Sequence, residues 1–232
     1  MNRSVMVADV KNVVREPVIL GMYSMPIFLF IIMKSYLIWG HPIVLESFHF
    51  DITAYQPHVL MTLTALTANV LGMATGFMML DDRDARIYEL MQITPLGRVG
   101  YLINRMMMPV ILSMVYVVGL FMIFNAWINL ISVLTILIFV CVQVMIFGLI
   151  LFFLAEDKVK GLTYAKVLNL VMLTIFADFA QHSLLIGVAK VIPTYWLLGV
   201  YQGHLNSILW GIVVHGSWFG LLSYGFIRSK AK

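Results

Sequence analysis

Few side chains in this sequence could carry out catalysis, and none of them completes a catalytic motif. Asp178 and His182 are four residues apart, so they would share one face of a helix and could contribute to a metal site. The sequence contains no H-E-x-x-H pair to support such a site. It also contains no G-x-x-x-x-G-K-S/T phosphate-binding loop, which excludes ATP hydrolysis by that route. We therefore expect no catalytic residue, no metal and no cofactor in this chain.

A second group of polar side chains lies inside long apolar stretches. Its members are Thr64, Thr67, Asn69, Gln143, Asn169 and Asp178. Within a membrane, such groups either bond between helices or line a path for a polar molecule. We predict that these six line a substrate pathway. Hydrogen bonding between helices is the alternative, and Asp178 could instead lie at the outer interface, where water reaches it.

The densest charge in the chain lies between positions 81 and 105. Six charged residues fall within nine positions: Asp81, Asp82, Arg83, Asp84, Arg86 and Glu89. Ile87, Leu90 and Met91 recur at i, i+3 and i+4, which predicts a short amphipathic helix on the membrane surface. Pro95 should end it, because the residue before a proline is disfavoured in a helix. The pattern fits either an anchor for the bundle or a docking element for a partner.

The first seventeen residues predict another amphipathic helix, lying in the membrane interface. Its apolar stripe consists of valines: Val5, Val7, Val10, Val13 and Val14. Arg15, Glu16 and Pro17 then form an elbow before the first long apolar stretch.

The composition shows which elements must position these residues. Of 232 residues, 62% are hydrophobic and 11% are charged, with a mean hydropathy of +0.96. Soluble domains have about 45–50% apolar and about 25% charged residues, so a water-soluble domain is excluded, as is a disordered chain. We predict an all-α integral membrane protein, a single domain over 1–232. Its six spans are 18–39, 59–80, 102–124, 128–154, 162–181 and 208–227. Pro193 and Gly199 break the stretch 182–206, which predicts a short re-entrant or interfacial outer segment.

The basic residues predict the orientation. With six spans, thirteen of the fifteen lysines and arginines fall on the side that holds both termini. Only Lys34 and Lys190 fall on the other side. Because short cytoplasmic loops are rich in Lys and Arg, both termini should be cytoplasmic in a multi-pass protein of the cell membrane.

Taken in order, these features resemble the ABC-2 type permease family, the membrane subunits of one class of ATP-binding-cassette exporter, and in particular its smaller prokaryotic drug-export members. The resemblance covers essentially the whole chain. The motifs that carry it are Arg15-Glu16-Pro17, Asp82-Arg83-Asp84, Glu89-Leu90, Thr94-Pro95-Leu96, the segment from Glu156 to Lys166, and Pro193-Thr194-Tyr195-Trp196. One departure is that Ala85-Arg86 stands where the family usually has Gly-Thr.

The resemblance implies that the charged segment is a coupling helix between helices 2 and 3, which fits a groove of a cytoplasmic ABC ATPase. The residues implied in that contact are Arg83, Asp84, Arg86, Glu89, Leu90, Thr94, Pro95 and Leu96, with Arg15 and Glu16. ATP and Mg²⁺ would bind to the ATPase subunits. A second permease chain, identical or homologous, would complete the pathway in the lipid bilayer, and no nucleic acid is expected.

The implied function is export of a hydrophobic or amphipathic substrate, such as a drug-like compound, a peptide or a lipid-like molecule. Two alternatives stay open at this point. An ion-coupled secondary transporter would need carboxylates deep in the spans, and only Asp178 could serve. A membrane-embedded enzyme would need a site such as the one at Asp178 and His182.

Overall fold

The computed structural model describes residues 13–49, 51–93 and 97–228, and every regular element in these ranges is helical. Six helical rods are long and apolar enough to cross a membrane: Pro17–Phe48, Ile52–Asp84, Gly97–Phe124, Leu130–Leu154, Lys158–Ala180 and Leu205–Arg228. The predicted all-α fold with six spans is therefore confirmed.

The rods and the segments between them consist of ten α-helices and several tighter or wider helical turns within the described ranges. The α-helices are α1 (Pro17–Ser35), α2 (His41–Phe48), α3 (Gln56–Asp84), α4 (Ile87–Gln92), α5 (Gly97–Phe124), α6 (Leu130–Leu154), α7 (Lys158–Leu170), α8 (Ser183–Lys190), α9 (Trp196–Tyr201) and α10 (Leu205–Arg228). A π-helical turn, Tyr36–Gly40, joins α1 to α2, and a 3₁₀ turn, Ile52–Tyr55, precedes α3. The fifth rod continues from α7 as a 3₁₀ helix, Val171–Ala180.

The first two rods are longer than the predicted spans, because prolines that could have ended a helix lie instead in the first turns of helices. Pro42 lies in the first turn of α2 and Pro57 in the first turn of α3. Proline is tolerated there, since the N–H groups of a first turn have no partner within the helix. The stretch between the first two predicted spans, 40–58, is therefore largely helical.

The centre of the bundle is α3, which is surrounded on all sides and packs most extensively against α6. Glycines allow this close approach. A Cβ on Gly72 would lie 2.7 Å from both Phe147 Cβ and the Val144 carbonyl oxygen of α6. A Cβ on Gly148 of α6 would lie 3.1 Å from the Gly72 carbonyl oxygen. Small residues at such a crossing let two helix backbones pack directly, as is common between membrane helices.

One end of the bundle gathers most of the charge, and we call it the basic end. It comprises Glu16, Asp81–Asp84, α4, the first two turns of α5, the end of α6, the start of α7 and Arg228. Lys34 lies at the opposite end, where its ammonium sits 5.6 Å from the centre of the Phe124 ring, and α8 runs inward from that end to Lys190.

Between the fifth and sixth rods, α8 and the segment Pro193–Tyr201 form a bent pair, with a change of direction of 103°. The bend is held against the middle of the neighbouring rods. The Thr194 hydroxyl lies 2.7 Å from that of Thr174 and 3.1 Å from the Val171 carbonyl oxygen. The Trp218 indole N–H of α10 donates to the Val191 carbonyl at 2.9 Å. The bend therefore fits a broken span or a re-entrant loop, and the Thr194 hydroxyl and Val191 carbonyl have the partners that the membrane interior requires.

Candidate functional site

The predicted docking element corresponds to α4, which lies across the basic end in contact with α3 and α5. Arg86 makes the turn from α3 into α4 with a φ of 59°. This left-handed region is unfavourable for side chains with a Cβ and suits glycine. Arg86 therefore occupies a backbone position of the kind that glycine usually fills.

One side of α4 is anchored in the bundle by Tyr88. This side chain is buried, and its ring centre lies 5.2 Å from that of Tyr101, 5.6 Å from that of Phe152 and 5.7 Å from that of Phe226. These three rings belong to α5, α6 and α10. A single aromatic side chain thus joins α4 to three spans.

The other side of α4 faces outward. Arg86 and Glu89 are exposed, and so are Leu90 at 60% and Ile93 at 84%. An apolar patch with charges of both signs, held on a short rigid helix, has the composition of a protein-docking surface. We call these four residues, Arg86, Glu89, Leu90 and Ile93, the α4 face.

Beneath α4, a buried ion pair joins α3 to α5. The Tyr101 hydroxyl and the Arg105 Nε each donate to Asp82 Oδ2 at 2.8 Å, and Arg105 Nη2 pairs with Asp82 Oδ1. The opposite charges of Asp82 and Arg105 offset the cost of removing each group from water. The sequence pattern does not indicate this pairing, because Asp82 is one of six clustered charges and neither Tyr101 nor Arg105 is a predicted site residue.

Arg83, predicted to contact a partner, is turned inward. Its guanidinium donates to the carbonyl oxygens of Phe152 at 3.3 Å, Ala155 at 2.7 Å and Glu156 at 2.7 Å. These carbonyls end α6 and the turn after it, so Arg83 caps that helix and complements its dipole. Asp84, the next residue, is exposed. Partner contact by Arg83 and Asp84 stays a prediction.

The elbow before α1 is tied to the same end by Lys158. Its ammonium lies 3.2 Å from Glu16 Oε2 and 2.8 Å from Asp81 Oδ2, joining the starts of α1 and α7 to the end of α3. Arg15 is exposed. Several predicted elements lie outside the described residues: positions 1–12 of the N-terminal helix, and Thr94, Pro95 and Leu96. Positions 13–15 are helical.

The polar residues predicted to line a pathway fall into separate groups. Thr64 and Thr67 are fully buried, and their hydroxyls donate to the Leu60 and Leu63 carbonyls one turn back in α3, each at 2.8 Å. Asn69 Nδ2 donates to Asn169 Oδ1 at 2.8 Å, which links α3 to α7. Asn169 is exposed on the surface of the single chain. Whether a substrate passes these groups stays a prediction.

Gln143 pairs with His215 of α10, a contact between helices that the sequence alone does not indicate. Gln143 Nε2 lies 2.9 Å from His215 Nε2, and both side chains are buried. His215 Nδ1 lies 2.7 Å from the Gly211 carbonyl oxygen, and its ring stacks on Phe139 at 4.0 Å. His215 could have been identified from the sequence, because an ionisable residue within an apolar stretch indicates a functional or structural role.

Asp178 lies at the opposite end, exposed, and accepts a hydrogen bond from the Tyr195 hydroxyl at 2.9 Å. This exposure agrees with the alternative interpretation of Asp178, whose placement at the outer interface stays a prediction. Within the described ranges, no group of three or more His, Cys, Asp and Glu side chains is placed to hold a metal ion.

Comparison with protein families identifies a match. A family model described as fluoroquinolones export permease protein Rv2686c-like matches residues 9–226, almost the whole chain. The search of curated proteins and the search of solved structures each returned no match.

Proposed function

Because the chain belongs to the fluoroquinolones export permease protein Rv2686c-like family, a group of ABC-2-type permeases, we propose that it is the membrane subunit of an ATP-driven exporter. A separate ABC ATPase would bind ATP and Mg²⁺ and drive transport through α4. The substrates would be amphipathic aromatic compounds of the fluoroquinolone type, moved out of the cytoplasm.

The observation that carries this proposal is the two-sided construction of α4. The α4 face presents Leu90 and Ile93 between the charges of Arg86 and Glu89, which suits a groove in a soluble partner. On the other side, Tyr88 is packed against rings of α5, α6 and α10. A push on α4 would therefore reach three spans at once, while Arg83 keeps the ends of α3 and α6 together.

A second permease chain is proposed from the exposed surface of α7. Lys166 and Asn169 are exposed on this span, among exposed apolar neighbours such as Val167 and Leu170. Polar groups of this kind face protein or a water-filled path rather than lipid tails. A second copy, or a homologous chain, that packs on α7 would cover them and place Asn69 and Asn169 near the seam.

The orientation follows the distribution of basic residues. We propose that the protein lies in the plasma membrane with its basic end facing the cytoplasm. Loops rich in Lys and Arg are retained on the cytoplasmic side. The α4 face and both termini would then lie where a soluble ATPase can reach them.

The experiment that tests this proposal is charge reversal on the α4 face. The full chain is co-expressed with a candidate ABC ATPase from the same genome, and both ATP hydrolysis by the purified complex and fluoroquinolone efflux are measured. Glu89→Lys should abolish co-purification and efflux. Glu46→Lys, the same reversal on an exposed position of α2 at the opposite end, should leave both unchanged.

Two results would contradict the proposal. Equal effects of Glu89→Lys and Glu46→Lys would show that α4 has no special role. Transport by the chain alone, driven by a proton or sodium gradient and lost on Asp178→Asn, would instead establish a secondary transporter.

A further inference from the structure

Lys190 brings a positive charge toward the middle of the membrane-spanning rods. It is the last residue of α8, and the bend follows it at once. The next carbonyl along the chain, that of Val191, accepts the indole N–H of Trp218, which lies about halfway along α10. On the other side of the bend, Thr194 donates to the Val191-proximal rod at the Val171 carbonyl, where α7 passes into its 3₁₀ continuation. The backbone of Lys190 therefore lies far from both ends of the bundle.

The described part of the chain offers this ammonium no carboxylate at that depth. Its ten acidic side chains lie at the two ends of the bundle, seven at the basic end and three, Glu46, Asp51 and Asp178, at the opposite end. A second copy with the same orientation in the membrane would bring the same groups to the same two ends. An unpaired lysine within a membrane is costly, so an anion from outside the described chain would be favoured beside it.

A groove of about 740 Å³ lies beside Lys190, between the end of α8 and the outward side of α10. It extends along α10 from Asn206 to Ser217, a distance of about 16 Å at the usual helical rise. Both of these polar residues are exposed, and so is Trp210 at 59%, so the groove opens toward the surrounding bilayer. The Lys190 side chain is also exposed, and its four methylenes allow the ammonium to extend along the groove toward the membrane surface.

Two tryptophans hold the end of α8 in place and form walls of the groove. The Trp196 and Trp218 indole N–H groups donate to the carbonyl oxygens of Lys190 and Val191, each at 2.9 Å. These carbonyls belong to the end of a helix, where they have no partner within the helix itself. The position of Lys190 is therefore fixed by two side chains from outside α8.

An apolar cavity of about 460 Å³ lies next to the groove, between α6, the fifth rod and α10. Trp218 lines both spaces, and the chain passes from Val191 at the groove to Ile192 at the cavity. Only apolar atoms face this cavity. A positive charge with polar neighbours thus stands beside a purely apolar space, which is the combination that an anionic amphiphile requires.

We propose that the groove and the cavity together bind an anionic phospholipid from the leaflet opposite the basic end. The lipid phosphate pairs with the Lys190 ammonium, and an acyl chain passes Trp218 into the apolar cavity. Charge complementarity selects an anionic head group, as in other basic pockets between membrane helices. The opening of the groove along the exposed side of α10 selects a lipid as the source of that anion. This inference does not depend on the proposed coupling to an ATPase.

The experiment uses the tryptophans of the groove as the probe. Replacing Trp39 and Trp127 by Phe leaves the full chain with three tryptophans, all of which line the groove. This reference protein is placed in phosphatidylcholine nanodiscs with an increasing share of phosphatidylglycerol whose acyl chains are brominated, because bromine quenches nearby tryptophan fluorescence. Half-maximal quenching should need an about tenfold smaller share of brominated phosphatidylglycerol than of brominated phosphatidylcholine, the factor expected for a hydrogen bond to a charged group.

Three variants of the reference protein assign that preference to one side chain. Lys190→Met removes the charge at similar length and should make the two brominated lipids equivalent. Lys190→Arg keeps the charge and should keep the preference. Lys34→Met, the same change on a lysine at the opposite end, should also keep it. Thermal unfolding shows which variants are folded, and the comparison of lipids in the reference protein does not depend on any Lys190 variant.

Equal quenching by the two lipids in the reference protein would overturn the proposal and indicate a site for acyl chains only. Equal behaviour of Lys190→Met and Lys34→Met, both folded, would overturn the role of Lys190. A large excess of inorganic phosphate, which has no acyl chain, should leave the quenching by brominated phosphatidylglycerol unchanged. Displacement of the lipid by inorganic phosphate would instead establish a site for a free anion.

Discussion

Asp82 and Arg105 form an ion pair whose side chains are only 7% and 11% exposed, at the junction of α3 and α5. Removing one partner of such a pair leaves the other charge buried without compensation. We therefore predict that Asp82→Asn lowers the free energy of unfolding by about 3–5 kcal/mol. Asp84→Asn, on the exposed residue two positions on, should change it by less than about 0.5 kcal/mol.

Thermal unfolding of the purified protein in detergent measures both variants. Replacing both partners, Asp82→Leu with Arg105→Leu, should recover much of the loss, because apolar residues of similar volume can substitute for a buried pair. If Asp82→Asn and Asp84→Asn unfold alike, the pair is not an important support of this end.

The same residues show how far sequence alone could predict the site. The charged segment and its amphipathic pattern were visible, but not which charges turn inward. Asp82 and Asp84 have the same side chain and lie on the last turn of α3. They point in different directions around the helix, and only the position of α5 in the folded structure determines that Asp82 is the one that faces it. Arg83 likewise caps the end of α6 through the Ala155 carbonyl, 72 residues later in the chain, and nothing in the local sequence indicates that contact.

At the scale of elements, the crossing of α3 and α6 depends on Gly72. A Cβ there would meet the Val144 carbonyl oxygen and Phe147 Cβ at 2.7 Å, and a backbone oxygen cannot move without shifting α6. We predict that Gly72→Ala destabilises the protein by about 1–3 kcal/mol, the usual cost of overpacking. Gly119→Ala, in α5 with nothing within 4 Å, should be neutral or stabilising by up to about 1 kcal/mol, since alanine favours helix.

The comparison is made by thermal unfolding of the two alanine variants under identical detergent conditions. Opposite shifts in the unfolding midpoint are expected. A shift of the same sign and size in both would mean that the glycines of α3 matter through helix propensity rather than through close packing.

The existence of the membrane-spanning helices could be predicted from the sequence, but the residues at which they begin and end could not. Spanning a membrane requires about 20 apolar residues in a helix, which is why six spans could be counted from hydropathy. Their ends could not be placed, because Pro42 and Pro57 are compatible with either a loop or a first helical turn. The change from α7 to a 3₁₀ helix at Val171 has no sequence signal that we recognise.

At the scale of the whole molecule, docking of an ATPase and transmission of its movement would use different sides of α4. The α4 face would hold the partner, whereas Tyr88 connects α4 to the rings of α5, α6 and α10. We predict that Tyr88→Leu leaves the ATPase bound and able to hydrolyse ATP, but lowers fluoroquinolone efflux at least about tenfold, because coupling free energies of 1–3 kcal/mol correspond to such factors. Leu90→Asp should instead remove the ATPase from the complex.

The two variants are compared by co-purification, ATP hydrolysis and efflux in the same cells, with unfolding curves to show that each chain is folded. The decisive result is that Tyr88→Leu lowers efflux while co-purification and ATP hydrolysis stay unchanged. Damage to the α4 face would instead reduce all three together. If Tyr88→Leu behaves like Leu90→Asp, Tyr88 serves only to hold α4 in shape. The movement would then have to pass through other contacts at the basic end, of which the bonds of Arg83 to the end of α6 are the next to test.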